Sequence, residues 1–249
     1  MNRLKTLLIF TLCLFALLSC GVEDILYLPQ VSESGIVREL TNKASISLSP
    51  LTDSYATGYV IFYKIYIISP PGYGTIPELI NNNTRISNDY STLYRFTDPT
   101  NASSIPSLTT FSSSGFYELE LYGVNIRNAI LSKSGGFFNI EFPLTPGVRP
   151  NILSLNSADS GTRYPLYRSN GGGTFNPKPD RYFLSSTDLN DFANAISTIN
   201  ADVSGQNGVG NEGVAYASMY IVAVGTNQNF SRVYGKPTHI SIFKLPNLN

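Results

Sequence analysis

Four groups of residues in this chain have types and spacings that could carry chemistry. Gly208, Gly210 and Gly213 in "GVGNEG" reproduce the G-x-G-x-x-G spacing. In dinucleotide-binding folds such glycines follow a strand and open a helix whose backbone NH groups hold a pyrophosphate. Here a helical pattern precedes them and a β-branched run follows from Val214. That reversed order points to a loop leading into a strand. His239 is the single histidine, which removes multi-histidine metal sites and leaves one candidate base for a Ser-His-Asp arrangement. Its setting, "KPTHISIF", predicts a surface or rim position on a strand, and no serine stands in a nucleophile-elbow sequence.

Glu118 and Glu120 share one face of the strand "FYELELYG" at i, i+2, about 7 Å apart along it. Glycoside hydrolysis needs two carboxylates placed across a bond, but a solvated strand face has the same pattern. In "NSADSG", Asn156, Asp159 and Gly161 offer oxygens for calcium without the full EF-hand sequence, so a turn is expected and no metal site is assigned. N-x-S/T matches at Asn82, Asn101 and Asn229 are what chance gives in a chain so rich in Asn, Ser and Thr. No catalytic residue is assigned and the chain is read as a non-enzyme.

The elements that must position these residues are mostly strands. "ASISLS" at 44–49 alternates apolar and polar positions, and "GYVIFYKIYII" at 58–68 is apolar on both faces, as a central strand is. "FYELELYG" at 116–123 alternates and is expected to be half buried. Further strands are expected in "FFNIEF" at 137–142, "NILSL" at 151–155, "VAYASMYIVAV" at 214–224 and "HISIFKL" at 239–245, with "NNNT" at 81–84 and "NGGGTFNPKP" at 170–179 as turn-rich pieces. One helix is predicted, capped by Thr187 or Asp188, with Leu189, Phe192, Ala193, Ile196 and Ile199 on its apolar face.

Two stretches resemble fibronectin type III domains. "TGYVIFYKIY", with Gly58, Tyr59, Ile61 and Tyr63, looks like their third strand. "YIVAVGTNQNFS" running into "HISIF" looks like their last two strands, with Tyr220, Ala223, Gly225 and Asn227 at pattern positions. The resemblance implies an all-β, immunoglobulin or fibronectin III-like antiparallel β-sandwich. Because the two stretches lie far apart, the region from roughly 70 to 205 reads as a long insertion with extra strands and one helix.

The N-terminus speaks to location. Arg3 and Lys5 precede an apolar run from Leu7 to Leu18 broken only by Thr11. That is too short for a helix spanning the bilayer core, which needs roughly 20 apolar residues, and its pattern is that of a secretory signal. Leu17-Leu18-Ser19-Cys20 resembles the bacterial lipobox, in which an apolar, a variable and a small residue precede a cysteine that becomes the lipidated first residue. The resemblance implies a signal peptide over 1–19, a covalent diacylglycerol on Cys20 with room for an N-acyl chain, and no other cofactor. Cys13 leaves with the signal, so Cys20 remains as a lone cysteine that a disulfide would not explain. The alternative is an ordinary cleaved signal with a chance cysteine. Gly21 stands where the enterobacterial sorting rule has Asp for inner-membrane retention, which favours the outer membrane.

Composition limits the partners. The chain carries 17 basic and 17 acidic residues, and removal of Arg3 and Lys5 with the signal leaves it slightly acidic. No Lys/Arg cluster follows, so nucleic acid is excluded as an expected partner. The segment 162–183 interleaves Arg163, Tyr164, Tyr167, Arg168, Phe175, Arg181 and Tyr182 with Gly, Asn and Pro. Tyr and Arg give broad contact area together with hydrogen bonds, so these seven are the candidate binding residues. The alternative is a hairpin whose aromatics cover the domain. The resulting expectation is a signal at 1–19, a tether over 20–36 and one decorated β-sandwich over 37–249. The bilayer is its partner through Cys20, with an unidentified protein or glycan as a second. Three functions stay open: an envelope or surface binding module, a periplasm-facing accessory subunit of an envelope assembly, and an envelope glycoside hydrolase using Glu118 or Glu120.

Overall fold

The computed structural model describes residues 27–40, 42–66, 78, 81–82, 85–97, 115–121, 131–142, 151–154, 163–167, 216–227 and 232–244. They form antiparallel sheets with a covering helix. The strands are β1 (Ile36–Leu40), β2 (Lys43–Leu48), β3 (Ala56–Tyr66), β4 (Tyr117–Glu118), β5 (Glu120–Leu121), β6 (Leu131–Ser132), β7 (Gly136–Glu141), β8 (Asn151–Ser154), β9 (Arg163–Tyr167), β10 (Tyr216–Thr226), β11 (Arg232–Tyr234) and β12 (Thr238–Lys244); helix α1 spans Ser87–Thr97. The expected strands at 44–49, 58–68, 137–142, 151–155, 214–224 and 239–245 all coincide with these elements.

The first sheet runs β1-β2-β7-β8-β9-β5. In the second, β3 and β10 are central. One edge of β10 carries β12 and then β11, and the outer edge of β3 carries β4 and then β6. One short segment joins the sheets: β4 pairs with β3, Leu119 donates its amide to the Ile61 carbonyl at 2.8 Å, and β5 then pairs with β9. Of the region from 70 to 205, the described strands β4 to β9 are paired into the sheets themselves.

Alternation explains the core. On β2, Ala44, Ile46 and Leu48 are buried while Lys43, Ser45 and Ser47 are partly exposed. They face Tyr59, Ile61, Tyr63 and Ile65 of β3, Ala217, Met219, Ile221 and Ala223 of β10, and Phe138 and Ile140 of β7 in one cluster. The opposite rows of β3 and β10 are also apolar, and Val60, Phe62, Tyr220, Val222 and Val224 pack with Leu93 of α1, Phe116 and Tyr234. A strand covered on both faces has no polar row, which is why these two sequences lack alternation.

The strand at 116–123 departs from its expected half burial. Phe116, Tyr117, Glu118 and Leu119 are all buried, because this segment lies between the main core and the layer under α1. Helix α1 was not expected; its sequence, "SNDYSTLYRFT", is made largely of turn-favouring and aromatic residues. Ile86, Tyr90, Leu93 and Thr97 nonetheless recur near the helical period, and burial against the sheet outweighs weak propensity. The helix predicted over 187–199 lies outside the described residues.

The curl of the sheets brings β1 beside β12. The β10–β12 register steps from Met219↔Ser241 to Tyr220↔His239, which makes Ile240 an extra residue and forms a bulge. Arg38 reaches across from β1, its Nε donating to the Ile240 carbonyl at 2.7 Å and an Nη to the His239 carbonyl at 2.8 Å. One side chain thus supplies donors to two consecutive carbonyls at the bulge. At the end of the second sheet, a Cβ on Gly225 would lie 2.6 Å from the Tyr55 carbonyl oxygen, so this close crossing requires glycine.

Ile221 is wholly buried between the sheets, whereas Val37 is 56% exposed. Ile221→Ala is expected to cost about 2–5 kcal/mol and Val37→Ala less than about 0.5 kcal/mol, as read from urea unfolding midpoints.

Candidate functional site

The densest polar chemistry in the described residues lies beneath α1, on the outer face of the second sheet. Period-two alternation puts Tyr216, Ser218 and Tyr220 of β10 on this face. Antiparallel register sets Tyr66, Lys64 and Phe62 of β3 opposite them, and His239 of β12 opposite Tyr220. The helix adds Asp89. Its Oδ1 accepts from the Tyr66 hydroxyl at 2.5 Å and from Lys64 Nζ at 3.2 Å. Tyr66 stacks on Tyr216 with centroids 5.0 Å apart, and Tyr220 lies 5.2 Å from the His239 ring.

Burial sets the protonation of these groups. It raises Asp89 above the usual carboxylate range, against the opposing pull of Lys64 and Tyr66. It raises Tyr66 as well, reinforced by the Asp89 charge. His239 is pushed down to about 3, first by burial and then by the charges of Arg38 and Arg85, so the ring is neutral at physiological pH. One ring nitrogen is engaged with the Ser241 backbone. His239 Nε2, Ser218 Oγ and Asp89 Oδ2 are buried without a hydrogen-bond partner among the described residues. Such groups are normally satisfied by a buried water or a ligand.

His239 is 3% exposed, which corrects the expected rim position. β12 is flanked by β10 on one side and by Arg38 on the other, and the Tyr220 ring lies against the imidazole. The histidine, a serine and an aspartate do gather on one face, but they are not wired as a relay. Asp89 bonds Lys64 and Tyr66, and the Ser218 hydroxyl and His239 Nε2 make no bond to each other. Ser218 and Asp89 escaped the sequence reading. The signal for Ser218 was the one serine in an otherwise apolar and aromatic run; Asp89 needed the unforeseen helix.

Glu118 is also buried. Arg232 donates to its Oε1 at 2.7 Å, and the Tyr234 hydroxyl donates to the same oxygen at 3.3 Å. Burial opposes the charge of Arg232, but Glu118 and Tyr234 together raise its pKa. Burial and the Glu118 charge raise Tyr234. This carboxylate is held in a structural ion pair and not on a solvated face, and the Glu120 side chain lies outside the described residues.

Of the candidate binding residues, Arg163, Tyr164 and Tyr167 belong to β9, a strand paired with β8 and then β5. Tyr164 stands in the transverse row of Ile152, Ile140 and Ala44, a row that is inward on β7 and β2, while Arg163 stands in the row of Leu153, Asn139 and Ser45. Arg168, Phe175, Arg181 and Tyr182 lie outside the described residues, as do Cys20, the glycines at 208, 210 and 213, Asn156, Asp159, Gly161, Asn101 and Asn229. Asn82 is exposed. Among the described residues no group of three or more His, Cys, Asp or Glu side chains is placed to hold a metal.

Comparison with protein-family models, curated proteins and solved structures finds no match to this chain.

Because His239 titrates lower in the folded state than its ordinary 6.5, the unfolded chain binds the extra proton first as pH falls, and stability is lost between about pH 6.5 and 3. The stability gap between wild type and His239→Gln should therefore narrow by about 2 kcal/mol from pH 7 to pH 5, measured by urea unfolding at each pH. Glu118→Gln leaves Arg232 without its counter-charge and is expected to cost about 3 kcal/mol at pH 7, a loss that the double variant with Arg232→Met should partly restore.

Proposed function

We propose that this protein is an exported bacterial lipoprotein, held by acyl chains on Cys20 to a membrane of the cell envelope, most simply the outer membrane. Its β-domain is a non-catalytic binding module for protein or glycan. The observation that carries this reading is Leu17-Leu18-Ser19-Cys20 directly after a basic and then apolar start, with Cys20 the last cysteine in the chain. Two acyl chains hold a protein far more firmly than one, since each buried methylene contributes about 0.8 kcal/mol.

Strand direction supports a display role. Antiparallel pairing makes β1, β3, β7, β9 and β12 run away from the end where the N-terminal chain enters. The connection 168–215 leaves from the far end of β9 and returns at the start of β10, so Arg168, Phe175, Arg181 and Tyr182 are carried by a segment rooted at the end opposite the anchor. The neighbour order β3-β10-β12 is also that of third, penultimate and last strands in immunoglobulin-type sandwiches. This favours a fibronectin III-like sandwich, with β11 interposed between the last two strands.

One observation favours a second reading, an accessory subunit facing the periplasm. Val37 and Phe137, 56% and 57% exposed, flank Ser45 and Ser47 on the outer face of the first sheet. Apolar side chains in that setting suit a permanent protein contact.

Cys20→Ser is expected to move the protein from the membrane fraction to the soluble fraction; retention in the membrane would end the lipoprotein reading. Protease shaving of intact cells, with a protected periplasmic control, separates the other two. Loss of the protein indicates surface display, and protection until the outer membrane is opened indicates the accessory subunit.

A further inference from the structure

Of the segment read as a tether over 20–36, the described residues from Tyr27 onward lie docked on the domain. Leu28 and Val31 are buried in the main core. The Tyr55 hydroxyl donates to the Tyr27 carbonyl at 2.6 Å, Gln30 Nε2 to the Pro237 carbonyl at 3.2 Å, and Thr238 Oγ1 to the Val31 carbonyl at 2.7 Å. A Cβ on Gly235 would stand 3.0 Å from the Pro29 oxygen and 3.1 Å from the Leu28 oxygen, so the chain lies directly across that glycine.

What remains between Cys20 and Tyr27 is seven residue steps, and a fully extended chain of that length spans at most about 25 Å. Central strand β3, with 11 residues, is about 36 Å long. Resting on the lipid anchor proposed above, we infer that the end of the domain carrying Tyr27, the 49–55 connection and the 132–135 turn sits at the bilayer surface, with the Tyr27 ring in the headgroup zone.

Tyr27 is suited to that contact. Its carbonyl is fixed by Tyr55, yet the side chain is 59% exposed, the most exposed of the large apolar residues described. A phenol ring on a fixed stem offers an apolar body and a polar tip, the pairing enriched at membrane interfaces. The short leash keeps this end near the lipid, and the strands of the second sheet carry the start of β10 and the end of β12 to the other end. The occupant is thus the headgroup layer of the same membrane that holds Cys20.

The chain contains no Trp, so a single introduced Trp reports without background. Full-length protein, lipidated and purified from membranes, is reconstituted into phosphatidylethanolamine–phosphatidylglycerol vesicles with a headgroup spin-labelled lipid. The variants are Tyr27→Trp and, at the far end of β7, the exposed Glu141→Trp. Flotation with the vesicles is scored in parallel. Tyr27→Trp is expected to be quenched several-fold more than Glu141→Trp, and the excess should vanish when a Gly/Ser linker follows Gly21 while flotation persists. Equal quenching at both positions, or none at Tyr27→Trp in protein that floats, would overturn the membrane-facing end and leave the anchor intact. Failure of the lipidated protein to float would remove the anchor and the inference together.

Discussion

The pairing of β3 with β10 is the constraint on which the rest of the molecule depends. Ten registered pairs run from Tyr216↔Tyr66 to Gly225↔Ala56, and apolar side chains dominate both faces of the ribbon. A two-stranded ribbon of this kind cannot stand in water, so it needs a layer on each side. The first sheet supplies one layer through β2 and β7, and α1 with Phe116 and Tyr234 supplies the other. Each remaining element either completes a layer or closes its margin.

The outer layer is less apolar than the inner one, and the difference has a physical cost. Burying Asp89, Tyr66, Ser218 and His239 beneath α1 requires hydrogen bonds for every polar atom, and Asp89 Oδ2, Ser218 Oγ and His239 Nε2 find none among the described residues. The Glu118–Arg232–Tyr234 group, by contrast, is fully engaged and ties β4 to β11 across both inner strands. A polar group of the first kind destabilises the fold that contains it, while the second fixes which strands lie at the two margins.

Strands were legible wherever a sequence run was long and its neighbours were strands. "ASISLS" shows period two because one face meets water, and "GYVIFYKIY" shows none because neither does. The helix Ser87–Thr97 was hidden because its composition favours turns and only its packing selects the helix. His239 was misread for a related reason: its alternation with Ile240 is genuine, but whether a strand face is wet depends on elements more than a hundred residues away. The candidate site was therefore visible as residue types and invisible as an assembly. Ser218 and Asp89 become its members only through the 3.6-residue period of one helix and the register of a distant strand. The proposed anchor is the opposite case, since the resemblance of Leu17-Leu18-Ser19-Cys20 to a lipobox is read locally and needs no fold.

Arg38 spans 202 residues of sequence to reach the Ile240 carbonyl, and Gln30 spans 207 to reach Pro237. The first described residues thus find their partners on Thr238–Lys244 or directly before it. Joining such distant segments carries a loop-closure cost that grows only slowly with length, but it must be met before the contacts reward it, and topologies of this kind fold slowly. A chain emerging N-terminus first therefore holds β1 and its bulge-capping arginine unsatisfied until Thr238–Lys244 has been made and delivered. Until that moment it is an incomplete sheet with an open margin, and Thr238–Lys244, the last of the described strands, is the one that closes it.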